Sequence, residues 1–252
     1  MSVAFLIARH DIRRLAVSGW PWALAAATLA LLAYYFLLSL DAFLALAPKL
    51  AGRADAPGTT DLVAVPILRT LANLFLLILP LLGMRAIAGE RRQHSLSLLL
   101  GAGVGNAPIV IGKWLAVWGY ALLIVILALG MPLSLAAGTT LDLGKLATAA
   151  LGIVLQAGAL AAIAIYASSL TEHPAFAAAI AVATNLLLSV LDAGARLQGV
   201  SNGLINYLAL STHTEPFFRG IVSSIDALYF GLVALIALGL ATRRLDALRS
   251  AG

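Results

Sequence analysis

Polar residues fall along this chain in short clusters, separated by long apolar runs. The runs cover about residues 20–40, 62–83, 114–135, 146–166, 175–191 and 223–241. Each approaches or exceeds the ~20 residues a helix needs to cross ~30 Å of hydrocarbon. None shows the ~10-residue alternation of apolar and polar positions that marks a strand of a membrane barrel. The pattern predicts an all-α integral membrane protein of six transmembrane helices, with residues 1–252 forming one transmembrane domain.

Ahead of the first run, Phe5, Leu6, Ile12 and Leu15 can line one helical face against Arg9, Asp11, Arg13 and Arg14. This suits a helix lying in the membrane interface with its arginines toward water; a solvated leader into the first span fits the same residues. Trp20 and Trp22 stand where amphipathic rings favour the membrane boundary. The Ala45-Leu46-Ala47 triplet imitates a signal-peptidase site, but the run before it is too long for a signal sequence and Pro48 follows, so a retained span is expected.

One long polar interruption is Met84 to Lys113, which carries Arg85, Glu90, Arg91, Arg92, His94 and Lys113 in a protein only 11% charged. On a helix from about Glu90 to Leu100, Leu96, Leu99 and Leu100 fall on one face, as on a helix lying along a membrane and meeting a partner. A second mixed segment, residues 192–222, holds a short apolar piece and then Phe217, Phe218 and Arg219, with Asp226 just beyond. Inside the spans stand Arg69, Asn73, Gln156 and Asn185. The three amides are explained most simply as interhelical hydrogen-bonding groups, with residues of a translocation path as the functional alternative. Arg69 lies about two turns from a span end; snorkelling to that interface accounts for it, and pairing or facing a substrate is the alternative.

Composition supports this class. The chain is 62% hydrophobic, and its mean hydropathy is +1.01. Of its 16 lysines and arginines, those near both termini and in Met84–Lys113 lie on one side of a six-span topology and number ten, against five on the other. By the positive-inside rule both termini and Met84–Lys113 are cytoplasmic, and the expected location is the inner (cytoplasmic) membrane, crossed several times. There is no cysteine, which excludes disulfides and thiolate metal sites.

Three catalytic patterns fail on their chemistry. Ala107 to Lys113 has the spacing of a phosphate-binding loop, but Trp114 replaces the magnesium-binding hydroxyl and Pro108-Ile109-Val110-Ile111 is a poor nest of N–H donors. Gly199-Val200-Ser201-Asn202-Gly203 spells a nucleophile elbow without the parallel sheet that an elbow needs. Gly101, Gly103 and Gly105 lack the strand of a dinucleotide fold. The four histidines form no ligand pair at helical spacing. No catalytic, cofactor-binding or metal residues are expected in the chain, and nucleic acid is not expected among its partners.

Gly83-Met84-Arg85, Ala88-Gly89-Glu90-Arg91-Arg92, Ser95 to Leu100 and Ile109-Val110-Ile111-Gly112-Lys113 together resemble the cytoplasmic segment of ABC-2 type permeases. Ser168-Ser169-Leu170-Thr171, the stretch from Leu210-Ser211 to Phe218-Arg219-Gly220, and Asp226 with Tyr229-Phe230 are similar to the gliding-motility-associated branch. The chain departs from the family pattern at Gly89, His94-Ser95, Ser97 and Ser223. The resemblance implies an ABC-2 type exporter fold and the permease subunit of an ATP-binding cassette transporter, paired with a second permease subunit in the bilayer. It further implies a separate ATPase chain that binds ATP and Mg and docks on Arg85, Glu90, Arg91, Arg92, His94, Leu96, Leu99 and Leu100. It also implies a lid over the outer half of the pathway, built from the segment with Phe217 and Phe218. A secondary transporter and a structural membrane scaffold are the alternatives.

Overall fold

A computed structural model describes residues 3–50, 57–93, 104–197 and 208–250. Helix α1 (Val3–Val17) leads into the long α2 (Gly19–Leu50). A π-helical turn, Thr60–Ala64, opens α3 (Val65–Gly83), and a short α4 (Ala88–Arg92) follows. Then come α5 (Asn106–Ser134), α6 (Leu143–Leu170), α7 (Pro174–Leu197), the short α8 (Leu210–Phe218) and α9 (Ser224–Ser250). No strand occurs among the described residues.

Five stretches are long and apolar enough to cross a membrane: Gly19–Lys49, Thr60–Arg92, Asn106–Ala137, Leu143–Leu170 and Ser224–Ser250. The chain is therefore a multi-pass helical membrane protein. The expected span at 175–191 lies in α7, whose apolar part, Pro174–Val190, is shorter than the other five.

Side-chain bonds sort the helix ends into two groups. At the proximal end the start of α5 meets the end of α9 through Asn106 and Asp246, α1 meets α5 through Asp11 and Lys113, and Ser168 of α6 meets Met84 after α3. At the distal end Lys145 pairs with Asp61, Asp142 donates its N–H to Thr60, and Gly220 approaches Lys145. Both described termini thus lie at the proximal end.

Helix α6 is the axis of the bundle. Its buried positions include Gly152, Ala157, Gly158, Ala159, Ala161, Ala162 and Ala164, and small residues let helix backbones approach closely where lipid supplies no hydrophobic drive. A Cβ on Gly83 of α3 would stand 2.7 Å from the Ala164 Cβ. On another side Trp114 and Trp118 of α5 stack at 5.1 Å and donate their indole N–H groups to the Gly158 and Val154 carbonyls of α6. Both rings are half-buried, and an indole N–H turned into the bundle needs such a partner.

Two elements differ from the sequence expectation. Asp41 to Leu50, beyond the expected run of 20–40, continues α2 instead of forming a loop, since Ala, Leu and Phe dominate it and two separated charges, Asp41 and Lys49, do not end a helix. Helix α1 is formed, but it faces the bundle with Ala4, Ile7, Ala8, Asp11 and Leu15, spaced three and four apart, while Phe5, Leu6 and Ile12 are exposed. The reason is Gly112: its missing side chain admits α1 so closely that a Cβ there would lie 2.8 Å from the Ala4 carbonyl and from Ile7. Asp11 is consequently directed at protein, not water.

Candidate functional site

The proximal end concentrates the chain's charge around α4. After α3 ends, the backbone turns through Met84 to Ile87 and would leave amide groups unpaired at a buried corner. Ser168, fully buried in α6, resolves this with one hydroxyl. It donates to the Met84 carbonyl at 2.9 Å and accepts from the Ile87 and Ala88 N–H groups at 3.0 and 2.9 Å. A hydroxyl has one donor and two acceptor sites, so its capacity is filled. Next to it Arg91 donates to the Ser169 carbonyl and pairs with Glu172 at 2.8 Å.

On the other side of α4, Glu90 accepts from Lys113 at 2.5 Å, and Arg14 of α1 approaches it at 3.8 Å. Lys113 is only 2% exposed and also contacts Asp11 at 3.3 Å. A buried ammonium between two carboxylates is compensated, and either acid alone would match its charge; losing Lys113 itself would leave Asp11 and Glu90 facing each other without that cation. Five residues of α4 are thereby tied to α1, α3, α5 and α6 at once.

The expected docking residues separate under this geometry. Glu90 and Arg91 are engaged by the bundle itself, whereas Arg92 is exposed and Arg85 faces a cleft beside α1. His94, Leu96, Leu99 and Leu100 lie outside the described residues, as does the Gly199–Gly203 elbow pattern. Ala107 to Lys113, with the phosphate-loop spacing, is the first part of helix α5.

At the distal end a second constellation forms around a cavity of about 130 Å³. Arg69, Asn73, Gln156, Ser211, Glu215 and Phe218 line it. Arg69 does more than snorkel: its guanidinium holds Glu215 bidentately at 2.7 and 3.2 Å and sits 5.1 Å from the Phe218 ring centroid. Burial works against ionising Glu215, but the hydrogen bonds and charges of Arg69 and then Arg219 outweigh it and hold the carboxyl below its usual range. Gln156 donates to the Ala72 carbonyl at 3.2 Å, while its side-chain oxygen has no partner among the described residues. Asn185 donates to the Leu76 carbonyl at 3.1 Å. These two amides bond between helices as the sequence suggested; Gln156 and Asn73 in addition border the cavity, and Asn185 does not line it.

Phe217 and Phe218 are buried, Phe217 against Gly152 of α6, so in this conformation they are packed into the distal wall. Beside them His213 meets Asp226 at 2.6 Å and stacks on Tyr229 at 3.9 Å, whose hydroxyl donates to the Leu208 carbonyl. Among the described residues no group of three or more His, Asp and Glu is placed to hold a metal ion.

Sequence reasoning missed Ser168 as a bonding centre, Asp11 as a partner of Lys113, and Glu215 as the partner of Arg69. For Asp11 a signal existed: its three- and four-residue spacing to Ile7, Ala8 and Leu15. No model of a known protein family matches the chain, and no curated protein matches it.

Proposed function

We propose that the chain is the permease subunit of an ATP-binding cassette exporter of the ABC-2 type, located in the inner (cytoplasmic) membrane. In this reading all six apolar helices span, both termini and α4 are cytoplasmic, and a second permease subunit and a separate ATPase that binds ATP and Mg complete the assembly. The observation that carries the reading is the anchoring of α4. A partner pressing on Arg92 and the leucine-bearing segment after it acts on a helix with no slack. Ser168 transmits that motion to α3 and α6, and the Glu90–Lys113 pair transmits it to α5 and α1. Closure of two ATPases would then displace four helices together, and the distal cavity between α3, α6, α7 and α8 is where a path would open. The buried His213–Asp226 pair favours one second reading, a secondary transporter driven by protons.

The test is purification of the chain from its native membrane with its bound partners. An ATPase is expected to co-purify, and Arg92→Glu is expected to release it. Ser168→Ala is expected to keep the ATPase bound but to lower its hydrolysis rate in the complex several-fold. A chain that retains no ATPase, and that accumulates or expels solutes on a proton gradient alone, is the secondary transporter instead.

A further inference from the structure

A cleft of about 140 Å³ opens at the proximal end between α1, α2, α3 and α5. We propose that it binds the phosphate of an anionic phospholipid. Its charged lining is Arg14, Arg85, Lys113 and Asp11. Lys113 is already neutralised by Asp11 and Glu90. Arg14 reaches Glu90 only at 3.8 Å with half its side chain exposed, and Arg85 makes no hydrogen bond or ion pair among the described residues. Three cations against two carboxylates, Glu90 included, leave one positive charge. Arg85 is therefore free to bind, Arg14 is held only by its long contact to Glu90, and a phosphodiester monoanion balances the site. Guanidinium groups suit phosphate because their parallel N–H bonds match its oxygens.

Depth and walls favour a lipid over a soluble anion. Trp20 stands at the rim, 46% exposed, where an indole marks the headgroup level. Arg85 is the first charged residue after the apolar run of α3. Below it Leu81 lines the cleft, and Leu77, one turn earlier on the same face, is 45% exposed, giving an acyl chain an apolar track down the bundle. Basic pockets between spans on the cytoplasmic side are the kind that hold acidic headgroups. The lipid would join α1 to α3 beside the α4 joint. Arg85, expected from sequence to touch a partner protein, is assigned to lipid here, and the assignment does not depend on the transporter reading.

The experiment uses the full chain in nanodiscs of equal phosphatidylglycerol and phosphatidylcholine, released into native mass spectrometry. Retained lipid is expected to be mainly phosphatidylglycerol. The double variant R14Q/R85Q is expected to lower that retention about tenfold. R243Q/R244Q, which removes equal charge from exposed positions at the same end of the bundle, should leave it unchanged. Equal retention of both lipids, or an equal loss in R243Q/R244Q, overturns the site. If the double variant does not fold, R85Q alone and the melting temperature of the unaltered protein decide. A rise with added phosphatidylglycerol but not with inorganic phosphate supports the lipid. An equal rise with inorganic phosphate assigns a free anion, and no rise with either rejects both.

Discussion

Arg69 and Lys113 sit at opposite ends of the bundle and settle the cost of a cation beside apolar surface in different ways. Lys113 is enclosed between two acids, whereas Arg69 keeps nearly half its side chain exposed and shares one carboxylate with Arg219. Exposure limits the Arg69–Glu215 pair to no more than about 1 kcal/mol. Because Glu215 is held below its ordinary value, that contribution is complete above the usual carboxylate range and is lost as pH falls through the lowered native pKa. Melting curves between pH 7 and pH 3 should therefore show an acid-side loss that Glu215→Gln diminishes; identical slopes in both proteins would refute the assignment. The amides Gln156 and Asn185 were legible in the sequence because an amide in a span has few options. The partner of Arg69 was not, since an acid 146 positions away leaves no local trace.

Elements were read well where hydrophobicity alone decides them. The long apolar helices follow from run length, but the true ends of α2 and the orientation of α1 do not. Helix α1 has apolar residues on more than one face, and only the surface of α5 selects between them. Gly112 makes that selection, so Gly112→Leu should drive α1 off α5 by colliding with Ile7 and the Ala4 carbonyl, at a cost of about 1–3 kcal/mol. Trypsin cleavage after Arg9, Arg13 or Arg14 should accelerate several-fold in this variant. An unchanged cleavage rate would mean that α1 is not held by that contact.

The molecule as a whole is two clusters of polar bonds joined by an apolar trunk, with α6 in the middle and α2 at the edge. Only one stripe of α2, through Pro21, Ala25, Thr28 and Leu32, is buried, while Leu31, Tyr34 and Leu37 are exposed, as befits a helix whose solvent is lipid. The cysteine-free sequence makes topology directly measurable. Single cysteines at Gly58 and Thr139 should react with an impermeant maleimide from outside the cell, and cysteines at Gln93 and Ala247 should not. Reaction of all four, or the reverse pattern, would overturn the six-span orientation. The even number of apolar runs predicts both termini on one side, and both described termini lie at the proximal end; the distal cavity was invisible to that pattern, because it is assembled from α3, α6, α7 and α8 and no single run reports it.

The bridge between Arg69 and Glu215 also has a history within each molecule's synthesis. The arginine leaves the ribosome 146 residues before its carboxylate, an interval of roughly 7–30 s at ordinary elongation rates. During that time α3 carries a cation with no counterion, in a helix that must already be leaving water. The ion pair of α3 is closed only when α8 emerges, so the last third of the chain completes a helix made in its first third.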